Sequence, residues 1–269
     1  MMHRIIKGLT PVAALVAAFV VGGCDTNVSV NGDKGVPLAE LETEGKSPTA
    51  VVLAGPDSVT VKKGSALKIE VSGDPEAVAA LRFSLKDDTL GVLRESKARE
   101  VKGKARVDVT LPSLEKIVLA GSGTLDASNL SGKAEVTIAG SGTATTSDID
   151  ASSLEVTIAG SGTYRASGTT PKLDLTVAGS GTADMLDLNA HEAEVTIAGS
   201  GDASFASNGT VSATVMGSGN VTVTGEAKCT IKSMGSGTLN CSAGGQGEPS
   251  NAPGTRSFPP APQVTETPE

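Results

Sequence analysis

The tripeptide Gly-Ser-Gly recurs seven times at nearly constant spacing, and this repeat limits the folds that the chain can adopt. Around it, the octapeptide VTIAGSGT occurs letter for letter at residues 136–143 and 156–163. The steps are 19, 20, 19, 20, 18 and 18 residues, between corners that begin at Gly121, Gly140, Gly160, Gly179, Gly199, Gly217 and Gly235. Such steps are too short for the common helical repeats and match one coil of a β-solenoid.

Apolar and polar residues alternate on both sides of the corners. A period of two predicts strands with one buried face. Before the corners, the residues predicted to face inward are Ala134, Val136, Ile138, Leu154, Val156, Ile158, Leu173, Leu175, Val177, Ala193, Val195, Ile197, Val211, Ala213 and Val215. After the corners, they are Leu125, Ala144, Tyr164, Ala183, Ala203, Val221 and Leu239. Each coil is therefore predicted to contain a strand, a corner, a second strand and a looser return segment.

The corner sequence itself favours a structural role over a catalytic one. Glycine adopts the backbone angles of a sharp turn without steric cost. Its lack of a side chain also lets successive corners stack at the strand spacing of about 4.8 Å. No G-x-S-x-G or G-x-G-x-x-G pattern, which would indicate a catalytic serine or a dinucleotide loop, surrounds the repeat.

Residues 49–120 lack the regular corners and predict a different kind of structure. Strand patterns are interrupted by turns, and DPEAVAALRF, with an aspartate cap and proline at the first helical position, predicts one short helix. We expect these residues to form irregular coils that cap one end of the solenoid formed by residues 121–242. The whole chain has four phenylalanines, one tyrosine and no tryptophan, so the core must consist mainly of aliphatic side chains.

The sequence predicts that both ends of the chain lie outside the folded domain. Residues 1–23 have the basic start and apolar run of an export signal, and VGGC at its end resembles the bacterial motif for lipid attachment, here to Cys24. An ordinary cleaved signal peptide is the alternative. Residues 24–48 predict a tether to the membrane, and the proline-rich residues 243–269 predict a disordered tail.

Two outward columns of side chains form the candidate binding face. One acid per coil and one threonine per coil are expected to stack about 5 Å apart. The residues are Glu135, Thr137, Glu155, Thr157, Asp174, Thr176, Glu194 and Thr196. Carboxylates suit divalent cations, but no second rank of acids is evident, so a solvated face without metal is favoured.

The net charge, the cysteines and the histidines of the chain limit the functions that it can have. Cleavage after residue 23 would give a formal charge of −10, which disfavours nucleic acid as a partner. Export permits a disulfide between Cys229 and Cys241, with two separate thiols as the alternative. His191 is the only histidine after cleavage, so no catalytic triad, histidine-based metal site or cofactor is predicted. The basic segment at residues 94–106 predicts a solvated loop or a contact with anionic groups.

The sequence resembles the head GIN domain of bacterial auto-transporter adhesins. The resemblance covers about residues 49–242 and rests on VTVKKG, LKIEVSGD and VDVTLPSLEKIVLAGSGT, followed by the VTIAGSG coils. It implies a single-stranded right-handed parallel β-helix on an exported or lipidated bacterial protein, and it supplies no catalytic residues.

Together these patterns predict a non-enzymatic lipoprotein that is anchored in a membrane and faces the periplasm or the cell surface. Its expected partners are the membrane, through the lipid, and a protein or glycan of the cell envelope. A carbohydrate-active β-helix enzyme and an envelope structural protein without a specific ligand are the alternatives.

Overall fold

The computed structural model describes residues 29–95 and 101–241, which form a β-solenoid with one short α-helix and one 3-10 helix. Residues 1–23, Cys24 and the tail predicted for residues 243–269 therefore lie outside the described residues. The first strands are β1 Ala50–Ala54, β2 Ser58–Lys63, β3 Lys68–Gly73, β4 Leu81–Lys86, β5 Thr89–Arg94, β6 Ala105–Leu111, β7 Lys116–Gly121 and β8 Thr124–Ala127. The later strands are β9 Leu130–Gly140, β10 Thr143–Gly160, β11 Thr163–Gly179, β12 Thr182–Gly199, β13 Asp202–Gly217, β14 Asn220–Thr224, β15 Lys228–Gly235 and β16 Thr238–Cys241.

The regular coils stack as parallel strands in register, so equivalent residues of the repeat lie on one another. Val136 pairs with Val156, which pairs with Leu175 in the next coil. All fifteen residues predicted to face inward before the corners are buried, with at most 3% of their surface exposed. Six of the seven predicted after the corners are also buried, whereas Leu239, in the last coil, is half-buried. The predicted β-solenoid and its core are confirmed.

The glycine that opens each corner is required by its conformation and by the preceding coil. From Gly140 to Gly235 these glycines have φ between 118° and 135°. A Cβ atom on any of them would lie 2.2–2.6 Å from the carbonyl oxygen of the corner glycine below it. Residues with a side chain rarely adopt this φ, and a Cβ atom at that distance would force the backbone to shift, so any other residue at this position destabilises the corner.

The return segment is not loose, contrary to the prediction. Strands β10 to β13 run for 16 to 18 residues each, from one corner to the next. Ile149 and Leu188 continue the inward alternation there and are buried. The differences in coil length appear as breaks in register, such as the one between Thr146 and Ile149. Burial of these side chains holds the segment extended.

The only tyrosine of the chain lies inside the stack. Tyr164 is buried, and its hydroxyl donates a hydrogen bond to Thr146 Oγ1 at 3.2 Å. Burial, which disfavours the charged phenolate, raises the pKa of Tyr164 well above its ordinary value, and the hydrogen bond to Thr146 opposes this in part.

Residues 49–120 close the amino-terminal end in an order that does not follow the sequence. Strand β1 lies between β5 and β7, and all three are parallel, so β5 forms the layer outside the first coil. The antiparallel strands β4 and β3 pair with β5 and β6. The predicted helix is confirmed as α1, Pro75–Ala79, and the Asp74 side chain accepts hydrogen bonds from the backbone N–H groups of Glu76 and Ala77.

An eighth corner, in the first coil, carries an inward carboxylate. Gly55-Pro56-Asp57 stands where later coils have Gly-Ser-Gly, and Gly55 N–H donates to Ala120 in the next coil. Asp57 is fully buried and forms an ion pair with the nearly buried Arg94. Arg94 also donates to the carbonyls of Val101 and Gly103, at 2.9 and 3.0 Å. Arg94 is thus a buried structural residue and not part of a solvated loop.

The described part of the predicted tether differs from an extended linker, because it packs on the cap. Val30 is 4% exposed and belongs to an apolar cluster on the outside of the sheet, together with Val52, Ala54, Leu93 and Val118. Further along, Val36 and Phe83 exchange backbone hydrogen bonds of 2.8 and 2.7 Å. A 3-10 helix follows at Leu38–Glu40. The segment is attached to the cap through apolar side chains, namely Val30, Leu38 and Leu41.

The carboxyl-terminal end holds the two cysteines in the last coil. Cys229 in β15 and Cys241 in β16 are half-buried, with Cα atoms 6.6 Å apart, and a disulfide joins their sulfur atoms. Across residues 29–95 and 101–241, no helix has the length and apolar character needed to cross a bilayer.

We predict that Gly160→Ala lowers the free energy of unfolding by about 2–4 kcal/mol, because the new methyl group would meet the Gly140 carbonyl. Ser161→Ala, at the exposed neighbouring position, should change it by less than about 0.5 kcal/mol. Urea unfolding of both variants measures the difference. If Gly160→Ala were as stable as Ser161→Ala, close contact with the Gly140 carbonyl could not be the reason for glycine at the corner.

We also predict that Arg94→Leu destabilises the protein by about 3–5 kcal/mol, since it leaves the Asp57 carboxylate buried and unpaired. The double variant Asp57→Gly/Arg94→Leu gives the first corner the glycine of the later ones and should be more stable than Arg94→Leu. Thermal and urea unfolding compare the two variants. A double variant as unstable as Arg94→Leu would show that the unpaired charge is not the cause.

Candidate binding face

The outer surface of the strands before the corners carries three parallel columns of side chains. In the first column, Glu135, Glu155, Asp174 and Glu194 are direct partners in adjacent strands. Because β9 to β12 are parallel and in register, the four carboxylates repeat at about 4.8 Å. The sequence pattern and the register thus bring the four predicted acids together on one surface.

The second column consists of the threonines two residues further on. Thr137, Thr157, Thr176 and Thr196 are also direct partners, and all four are half-buried between the neighbouring columns. The third column consists of the small residues Ala139, Ala159, Ala178 and Ala198. We call the surface formed by the acid and threonine columns the acid–threonine face.

The acid column has defined ends. At its amino-terminal end, Lys116 of β7 pairs with Glu135, and Lys116 Nζ lies 2.7 Å from a carboxylate oxygen of Glu135. At its other end, the partner of Glu194 in the next strand is the uncharged Ser212, so the column of acids stops there. Like charges on neighbouring strands disfavour each other by up to about 1 kcal/mol, and Lys116 offsets part of this repulsion. The three other acids remain without such a partner among the described ion pairs.

The acid–threonine face is suited to binding an extended partner across several coils, because its side chains do not converge on one position as they would in a catalytic or metal site. Its carboxylates lie in one rank, each on a different strand, and accept hydrogen bonds. No group of three His, Cys, Asp or Glu side chains positioned to hold a metal occurs in the described residues. Residues 121–242 carry a formal charge of −7, so the face repels anionic partners at low salt.

The regular coils lack the arrangement of side chains that is typical of a carbohydrate-active solenoid enzyme, as far as the described residues extend. Such enzymes need a basic residue with convergent carboxylates. Among the described residues, the regular coils have two ion pairs, Lys116–Glu135 and Arg165–Asp184. The atoms of the second pair are 3.6 Å apart, and both side chains are exposed. His191 is exposed on the return segment. The described part of the chain therefore presents no convergent cluster on the regular coils.

A second polar surface, which the sequence did not single out as a candidate site, follows the corners themselves. The serine of each corner and the residue two positions later both point outward, for example Ser161 and Thr163. At the carboxyl-terminal end these side chains bond to one another between coils: Asn220 Nδ2 donates to Asp202, and Thr238 Oγ1 donates to Asn220, at 2.9 and 2.7 Å. The GSGT repeat contained this signal, since its hydroxyl residues occupy the outward positions.

Comparisons with known proteins agree with this geometry. Residues 47–227 match the family model described as "Putative auto-transporter adhesin, head GIN domain". No curated protein matches the chain.

Solved structures share the fold. A "putative adhesin" from Bacteroides fragilis has a TM-score of 0.66 and 21% identity, with 73% of this chain and 93% of that chain covered. A "putative lipid binding protein" from Parabacteroides distasonis has a TM-score of 0.57 and 23% identity, with coverage of 74% and 94%. A "putative adhesin" from Parabacteroides merdae has a TM-score of 0.57 and 19% identity, with coverage of 76% and 99%.

The repeat, the stacked coils and the family match over most of the described residues lead to the same assignment. Adhesins act by binding and not by catalysis, and the family description indicates an exported or surface protein. The chain belongs to the head GIN domain family, whose model is described as "Putative auto-transporter adhesin, head GIN domain".

Proposed function

We propose that the protein is a non-enzymatic lipoprotein of the bacterial cell envelope that binds a partner along its acid–threonine face. The observation that carries the proposal is the in-register acid and threonine columns on a rigid stack of strands. A surface of this kind offers the same carboxylate and hydroxyl groups in each coil. Repetition of this kind suits an extended partner that can contact several coils at once.

The partner is expected to be a neutral or cationic molecule of the envelope. A glycan offers many hydroxyl groups that donate to carboxylates, and a protein can offer lysine or arginine side chains. Nucleic acid is disfavoured by the negative charge of the coils. The adhesin descriptions of the family and of two solved structures support a binding role.

Anchoring through Cys24 is the second part of the proposal. VGGC ends the apolar run of the export signal, and lipid on the cysteine would hold the mature chain at a membrane without a spanning helix. The lipid-binding description of the P. distasonis structure is compatible with a position at a membrane.

Two measurements test the two parts separately. Mass spectrometry of the protein purified from its own envelope should show diacylglycerol and an acyl chain on Cys24. A mass that corresponds to an unmodified mature chain would refute the lipoprotein.

For the face, a photoreactive amino acid at Thr157 should crosslink to one defined envelope component in intact cells. Glu155→Gln/Asp174→Asn should abolish the crosslink, because both carboxylates lie beside Thr157 on the face. Asp148→Asn/Asp150→Asn, which removes the same charge from exposed positions of the return segment, should leave it unchanged. No crosslink at Thr157 would instead favour an envelope protein without a specific ligand.

A further inference from the structure

The chain enters the solenoid at a fixed point on its amino-terminal end. Val30 packs on Gly91 of β5 so closely that a Cβ atom there would lie 3.1 Å from the Val30 Cβ. Val30 and Asp33 exchange backbone hydrogen bonds of 3.0 and 2.9 Å. The entry point therefore lies on the outside of the β4–β5 hairpin.

Val30 is the sixth residue after Cys24, and the length of the intervening chain limits the distance between the two residues. At about 3.6 Å per residue, six residues span at most about 22 Å. Eight strand intervals of about 4.8 Å separate β5 from β15, which is about 38 Å. If Cys24 carries the lipid, as the proposed function holds, the amino-terminal end stays near the bilayer while the last coil can lie beyond the reach of the anchor.

The charge distribution favours an upright orientation over a flat one. In a flat orientation with the entry surface towards the bilayer, the acid–threonine face would meet the headgroups, because both lie on the outer surface of the same sheet. Anionic lipids would repel its carboxylates. The amino-terminal end carries cationic and anionic side chains together, among them the exposed Lys34, Lys46 and Lys86. Such a mixed surface tolerates a bilayer better than the acid column does.

A cavity at this end has the polar groups that a zwitterionic headgroup needs. It has a volume of about 320 Å³ and is lined by Lys46, Ser47, Pro48, Leu85, Lys86, Asp87 and Asp88. Its two ammonium groups can bind a phosphate, and its two carboxylates can bind an amine. Lys86 Nζ also donates to the Asn31 carbonyl at 3.4 Å, which places the cavity beside the entry point.

We propose that the amino-terminal end of the solenoid lies against the bilayer, with the head group of a zwitterionic phospholipid in this cavity. The last coil, with Cys229 and Cys241, then points away from the membrane, and the acid–threonine face stands roughly along the membrane normal. The inference rests on lipidation of Cys24 and adds an orientation and a lipid contact to it.

Fluorescence quenching tests the orientation, because the chain has no tryptophan of its own. Single tryptophans replace three exposed residues: Ser47 at the cavity, Glu155 on the face and Asn240 in the last coil. The full lipidated protein is inserted into vesicles of phosphatidylethanolamine, phosphatidylcholine and the anionic lipid phosphatidylglycerol, with nitroxide on a fraction of the headgroups. We expect quenching of Ser47→Trp and none of Glu155→Trp or Asn240→Trp.

Other outcomes would overturn the orientation. Equal quenching of Glu155→Trp would mean that the solenoid lies flat, and quenching of Asn240→Trp would place the wrong end at the membrane. No quenching of Ser47→Trp, with lipid on Cys24 verified by mass, would mean that the end stands off the bilayer. An unmodified Cys24 would refute the lipoprotein instead, so the two failures are distinct.

Charge-removing variants test the cavity within the Ser47→Trp protein. Lys46→Gln/Lys86→Gln should lower the quenching by about half or more, because the phosphate would lose both cations. Lys62→Gln/Lys63→Gln removes the same charge from exposed positions of β2 and should not change it. Melting temperatures verify that both variants fold. Unchanged quenching in the first variant would exclude the cavity as a headgroup site.

Discussion

The close approach of backbone to backbone at the corners is the constraint on which the rest of the structure depends. Each corner glycine lies directly over the carbonyl of the glycine in the coil below, with no room for a Cβ atom. This contact allows the coils to stack at the spacing of hydrogen-bonded strands. The stacking in turn buries the small aliphatic side chains that no single coil could shield from water.

The same stacking turns each outward position of the repeat into a column, which is how this chain builds surfaces. Repeating one acid produces the acid column, and its electrostatic cost is moderated by Lys116 at one end. Repeating the corner serine and the threonine after it produces the hydroxyl surface. Fixed attachment of Val30 at the amino-terminal end would then give these surfaces a defined orientation to the membrane. The proposed binding face and the proposed orientation thus both depend on the repeat and its cap.

Local alternation and the corner spacing were sufficient to predict the coils, because neighbouring coils repeat the same environment. Contacts between distant segments were not predictable in this way. The position of β5 outside β1 depends on pairing that skips the sequence order. Val30, which docks on the outside of the sheet, lies between the polar residues Ser29 and Asn31 and gives no sustained periodic pattern. The pair of Asp57 and Arg94 was hidden because GPDS does not look like GSGT until the coils are superimposed. The acid and threonine columns followed from the alternation, but the ion pair between Glu135 and Lys116 did not.

Hydrogen–deuterium exchange, read by mass spectrometry, tests the central claim that every coil is a closed, stacked layer. In a stacked solenoid the return segments are hydrogen-bonded strands, so peptides covering residues 147–153 and 186–192 should be protected nearly as well as those covering residues 154–160 and 193–199. Protection should decrease only towards the last coil. Rapid exchange confined to the return segments would contradict the account, because it would mean separate strands joined by loops.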